Sequence, residues 1–147
     1  MDEEMKVMKD DQGVEHKCLS YHSSFTGETD VIFDIQQYMD QDNLYIGLLC
    51  NEDGYIEPFA DLTVNLGGDM PNYCAYVDTN NLPDAESFIQ EHELGTFTGF
   101  TKGSGYCVYP LYMFEPDKLR ELCPDGLAAY EKQKGIVAET KQIKETR

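Results

Sequence analysis

The hydrophobic period of this chain alternates between two values, and the order of those periods restricts its fold more than any other feature. Val31, Phe33 and Ile35 alternate with Asp34 and Gln36, the period of two of a half-buried strand. Leu44 to Cys50 is a nearly continuous apolar run that reads as a central strand, and Asn51-Glu-Asp-Gly54 is hairpin-turn chemistry. Ile56, Ala60, Leu62, Val64 and Leu66 then form one face of a third strand, with Glu57, Asp61, Thr63 and Asn65 on the other. Pro58 puts the early part of that strand on an edge or at a bulge. Tyr73 to Thr79 is a fourth strand, after the break at Gly67-Gly-Asp-Met-Pro71.

The period next becomes helical. Ala85, Phe88, Ile89 and His92 fall at i, i+3, i+4 and i+7, with Asp84 as the expected N-cap and Gly95 as the expected stop. Thr96–Thr101 and Tyr106–Phe114 return to strand character as a hairpin around Lys102-Gly-Ser-Gly105. A last helix follows Pro116, with Asp117 capping it, Leu119, Leu122, Leu127 and Tyr130 facing inward, and Gly135 ending it. Pro124 should kink or restart that helix.

The order ββββαββα predicts an α+β fold. Strands joined by short turns give an antiparallel sheet of about five to six strands, two helices pack on one face, and the other face stays partly open. Residues 1–24, polar and without a clear period, are expected to be a flexible N-terminal segment; 25–135 form the single domain; 136–147 are a frayed or loosely helical tail. A chain of 147 residues is long enough for a self-sufficient core.

Charge narrows the partners. The formal net charge is −17, and residues 20–117 hold seventeen acids against one base, Lys102. Such a surface repels nucleic acid, whose binding comes mainly from Lys and Arg neutralising phosphates, and it repels anionic membranes. A basic protein surface is the favoured partner. The start, Met1-Asp-Glu-Glu-Met5, has neither the basic opening nor the apolar run of a secretory signal, and no stretch is long and apolar enough to span a bilayer, so a cytoplasmic location is expected. The five cysteines, Cys18, Cys50, Cys74, Cys107 and Cys123, are widely spread and contain no CxxC pair, which fits reduced thiols rather than disulfides or a metal site.

No residue is nominated as catalytic, and no cofactor or metal is expected. His16 and His22 lie in the N-terminal segment, and His92 sits on the apolar stripe of the first helix, where a boundary histidine is the simpler reading. Cys107 follows Gly103-Ser-Gly-Tyr106, but a strand follows it where a nucleophile turn needs a helix. Cys123 precedes Pro124 at a helix start, a setting that can lower a thiol pKa. Asp40-Gln-Asp42-Asn43 and Asn51-Glu-Asp-Gly54 are fragments of a calcium loop without its glutamate at position twelve.

Two sets of residues are candidates for recognition. Asp34, Glu57, Asp61 and Asp78 are expected to form an acidic face, and Tyr73, Tyr76, Tyr106, Tyr109 and Tyr112 an aromatic one. The runs Leu44-Tyr-Ile-Gly-Leu-Leu49, Pro83-Asp-Ala-Glu-Ser-Phe-Ile89, and Gly103-Ser-Gly-Tyr106 with Pro110-Leu-Tyr-Met-Phe114 resemble, over residues 29–134, a family of short acidic bacterial proteins described only as a domain of unknown function. The resemblance implies an association with Gram-positive gut bacteria and their mobile elements, and it carries over no catalytic residue. The leading expectation is a non-enzymatic module that binds a basic protein surface, including that of a nucleic-acid-binding protein, by imitating DNA. An interaction or oligomerisation module using the aromatic face is the second reading. A small-molecule enzyme using carboxylates is the third.

Overall fold

A computed structural model describes residues 6–39 and 41–136. Strands β1 (Lys6–Lys9), β2 (Glu15–Ser23), β3 (Gly27–Gln37), β4 (Leu44–Glu52) and β5 (Tyr55–Asp61) form a five-stranded antiparallel meander in chain order. Strands β6 (Thr63–Val64), β7 (Cys74–Val77), β8 (Gly95–Ser104) and β9 (Cys107–Phe114) form a second antiparallel sheet in the order β6-β7-β9-β8. Among the described residues three helices complete the α+β fold: α1 (Ala85–Glu91), α2 (Pro116–Leu122) and α3 (Pro124–Lys134).

The single sheet expected from the sequence is thus two sheets, and Leu62 divides them. Its N–H donates to the Ile46 carbonyl of β4, while its own carbonyl accepts from Asp78 at the end of β7, both at 2.9 Å. The chain leaves the first sheet at Asp61 and joins the second at Thr63, with the Leu62 side chain fully buried in the corner. Phe33, Ile46, Ala75, Tyr112, Phe88 and Leu127 belong to one hydrophobic cluster, so the inner faces of both sheets and all three helices share one core.

Order also begins earlier than the sequence suggests. The segment expected to be a flexible lead-in carries β1 and β2, and Tyr21 of β2 lies in the core beside Phe59 and Phe88. Leu19 and Tyr21 are the side chains that β2 supplies to the main core among the described residues, too few to show a period; the strand is held by its partner β3, a non-local effect. Pro124 restarts the helix rather than kinking it, giving α2 and α3, and Gly135 ends α3 in the left-handed conformation at φ 77°. The end of the expected tail, residues 137–147, lies outside the described residues.

The caps differ from the expectation in an informative way. Asp84 makes no side-chain cap to α1; its carboxylate accepts from the Ser24 N–H at 2.9 Å and from the Ser24 hydroxyl, tying the β2–β3 turn to the helix. Asp117 is likewise not the cap of α2, which begins at Pro116 after Glu115. Helix α1 ends at Glu91, and the left-handed residue that stops it is Glu93 rather than Gly95: Glu93 takes φ 53°, and the Leu94 N–H reaches back to the Ile89 carbonyl at 2.9 Å. Gly95 serves a close strand crossing instead, because a Cβ there would stand 2.7 Å from the Met113 carbonyl oxygen of β9.

Candidate functional site

Strand register decides which of the predicted site residues share a surface. Asp34 of β3 faces Gly47 of β4, and Gly47 faces Asp61 of β5, so the two aspartates flank one glycine on the face of the first sheet that points away from the core. At the usual strand spacing their backbones lie roughly 10 Å apart. Gly47 makes the arrangement possible. A Cβ at that position would overlap the Tyr45 ring, which crosses the glycine to donate its hydroxyl to Asp61 at 2.7 Å. Burial, and then the Asp61 carboxylate, raise the Tyr45 hydroxyl well above its ordinary pKa, so it remains a neutral donor. Asp34 accepts from the Gln36 side-chain amide at 2.9 Å, another neutral donor.

This outer face is acidic beyond that pair. Glu28 and Asp30 share it, and β3, β4 and β5 contain no lysine or arginine. Lys6 of β1 reaches Asp30 at 3.1 Å and the Ser20 hydroxyl at 3.2 Å. Cys18 and Ile32 lie on the same face and are buried although they stand outside the main core, with Lys6 next to Cys18 in the register.

Glu57 and Asp78 do not join Asp34 and Asp61. Between Leu48 and Leu49 the β4–β5 register slips, so Leu48 faces Ala60, Leu49 faces Pro58, and Phe59 is the extra residue. This bulge turns Glu57 to the same side as Cys50 and leaves Asp61 on the opposite face. Asp78 is buried in a turn, where its carboxylate accepts from the Asn81 backbone N–H and side-chain amide at 3.1 and 2.9 Å. The expected four-residue acidic face is corrected to a pair, widened by Glu28 and Asp30.

The five tyrosines do not form one face either. Tyr112 is in the core and donates to Glu86 of α1 at 2.7 Å. Tyr73, at φ 65°, lies against α3: its N–H donates to the Tyr130 hydroxyl, and its own hydroxyl donates to the buried Glu131, which also holds Arg120 at 3.0 Å. Tyr76 and Tyr109 lie on the outer side of the second sheet, half-buried and buried respectively, and Tyr106 is fully exposed in the β8–β9 turn. The exposed apolar side chains of this region are instead Phe97, Phe100, Val108 and Met113. Their sequence signal is an absence: Gly95 to Phe114 contains no aspartate or glutamate.

An open groove of about 560 Å³ lies beside the root of that hairpin, lined by Gln90, Glu93, Gly95, Thr96, Glu115, Asp117 and Lys118. Three of its side chains are carboxylates and one is a cation, so it prefers positively charged groups. His92 donates its Nε2–H to the Ser20 carbonyl at 2.8 Å and packs edge-on against Phe88, which occupies the imidazole in structure rather than chemistry. All five cysteines are free thiols, and among the described residues no group of three His, Cys, Asp or Glu side chains is placed to hold a metal ion. No helix among the described residues is long and apolar enough to cross a membrane.

No curated protein and no solved structure matches the chain. A family match runs from the middle of β3 to the last residue of α3, so it includes Asp34, Asp61, the β8–β9 hairpin and all three helices, and leaves β1 and β2 outside it. On that match, over residues 32–134, the chain belongs to the DUF4313 family, a domain of unknown function.

Proposed function

We propose that this protein is a non-enzymatic binding module for a basic protein surface, and that the outer face of the first sheet is its binding surface. One observation carries the reading. Asp34 and Asp61 are held in place by neutral donors, the Gln36 amide and the Tyr45 hydroxyl, so both carboxylates are oriented without an ion-pair partner among the described residues. A carboxylate kept only for folding is normally paired with a cation or tucked into a turn, as Asp78 and Glu131 are. A pre-oriented charged pair on an open sheet costs little ordering entropy when a cationic partner arrives.

The specific form of the reading is a DNA mimic. The fixed carboxylates stand in for backbone phosphates in the cleft of a nucleic-acid-binding protein, as a cytoplasmic accessory of a mobile element. The test uses capture from bacterial lysate at about 0.1 M salt, where charge contacts act over ~10 Å. A nucleic-acid-binding protein held by the wild type, released by duplex DNA, and lost with Asp34→Lys/Asp61→Lys is the expected result. Glu57→Lys, on the opposite side of the sheet, should leave capture intact. Equal capture by the double variant would refute the assignment of the surface.

A further inference from the structure

The β8–β9 hairpin differs from the rest of the molecule in both charge and exposure. Strand β8 is the free edge of the second sheet. Strand β9 pairs with β7 only as far as Leu111, so Cys107 to Pro110 pair with β8 alone, and the outer half of the hairpin is a two-stranded ribbon. Such ribbons are marginal without a further surface to pack on. Val108 lies on one face of this ribbon, 61% exposed; Phe97, at the root opposite Tyr112 where β9 also pairs with β7, is on the same side and 44% exposed, and Phe100, in the irregular stretch between Phe97 and Thr101, is 68% exposed. Gly103 faces Val108 across the ribbon, so no side chain shields it.

Charge identifies the occupant. Residues 95–114 carry Lys102 and no acid, so the remaining residues carry all of the −17 and one unit more. Two copies of this chain repel wherever acidic surfaces meet. A two-fold interface sets a patch against itself, so any acid within it is brought toward its own symmetry mate. The other hairpins fail this condition: Asp10 and Asp11 lie between β1 and β2, Glu28 follows the β2–β3 turn, and Glu52 and Asp53 stand at the β4–β5 turn. Strand β1, also an edge, would oppose Lys6 and Lys9 to the same lysines, whereas Lys102, across from Tyr109, lies on the side of the ribbon away from Val108.

We infer that the protein forms a two-fold homodimer through its β8–β9 hairpins, with the apolar ribbon faces around Phe97, Phe100 and Val108 packed on each other. This contact is separate from the acidic face of the first sheet and does not depend on it. The dimer buries the apolar surface that the monomer exposes and keeps the acidic faces apart. Its salt dependence is therefore opposite to that of binding a basic partner: screening weakens the repulsion between copies and leaves apolar contacts unchanged.

The test is sedimentation and light scattering of the full chain at about 0.1 M and about 1 M salt, over concentrations up to about 100 µM. The expected result is a concentration-dependent species of twice the 16.7 kDa chain mass, more populated at the higher salt. Phe100→Asp/Val108→Asp should return it to the monomer mass with an unchanged circular dichroism spectrum, because both side chains are exposed. Tyr55→Asp, a control at a similarly exposed site on the β4–β5 hairpin, should leave the dimer intact. A monomer at both salt concentrations, or a dimer that survives the double substitution or is lost equally with Tyr55→Asp, would overturn the inference.

Discussion

Tyr21 offers a substitution whose sign follows from the structure and runs against the usual effect of trimming a core side chain. It is 1% exposed, and its ring packs 4.8 Å from that of Phe88 and 5.5 Å from that of Phe59. Its hydroxyl finds no hydrogen-bond partner among the described residues. Leaving such a donor buried and unmatched costs about 1–3 kcal/mol. Tyr21→Phe removes that cost and keeps both ring contacts, while losing the dispersion contacts of one oxygen, each worth ~0.1–0.2 kcal/mol. The net expectation is a gain of about 1 kcal/mol, a rise in Tm of roughly 3 °C for a chain of this size. Urea denaturation followed by circular dichroism measures it, and an unchanged m-value shows that the unfolded state has not moved. Alkali gives an independent check. Burial pushes the Tyr21 hydroxyl from 10.0 up to about 12, so its folded pKa lies above the unfolded one. Its contribution is whole below pH 10 and is lost as pH rises through about 12. The advantage of the Phe variant should therefore widen over that window, with the other tyrosines titrating equally in both proteins. A variant less stable than wild type by 1 kcal/mol or more would show that the hydroxyl is satisfied, and the reasoning would fall.

Three further substitutions probe the backbone and the corner. Glu93→Gly relieves a non-glycine residue at φ 53° and should raise stability by about 1 kcal/mol, read by urea denaturation; a loss would mean the carboxylate holds the helix end. Gly126→Ala drives a Cβ into the Ile35 carbonyl, where α3 rests on β3, and should cost about 2 kcal/mol in the same assay. Leu62→Ala empties the corner between the sheets and should cost about 2–5 kcal/mol, seen as a fall in Tm of the whole molecule in calorimetry.

The sequence shows the fold class because α1 and most of the strands carry their periods locally. What it hides is non-local. The stripe Ile56–Leu66 reads as one uninterrupted strand, yet Phe59 is inserted against β4 and Leu62 turns a corner, so Glu57 and Asp61 part company. Pro58 marks an edge or bulge, but nothing in the sequence alone says that the bulge reverses a face. Strand β2 is invisible because β3 holds it in place. Asn43 looks like part of a turn and is in fact buried, donating to the Gly68 carbonyl at 2.7 Å and accepting from the Met70 N–H and Lys134. The Asp40 end of the neighbouring calcium-loop fragment lies outside the described residues, and Gln41 and Asp42 both take positive φ. The exposed hairpin was legible in principle, since twenty residues without an acid stand out in a chain with 28 of them.

Charge links the two proposed surfaces even though they share no side chain. Repulsion between two copies opposes the hairpin contact, and it falls when a basic partner covers the acidic face of each copy. Partner binding therefore favours dimerisation with no change of conformation, and linkage requires the converse: the dimer must bind the partner more tightly than the monomer by the same factor. The coupling is electrostatic, so it must shrink as the Debye length falls from ~10 Å at 0.1 M to ~3 Å at 1 M. A contact-based allosteric route between the sheets would keep its strength across that range. The charge-neutral Phe100→Ser/Val108→Ser separates these cases, because it removes the apolar dimer contact without changing the charge of the chain or touching Asp34 or Asp61: under charge coupling it weakens partner binding at low salt, and the difference from wild type vanishes as salt rises.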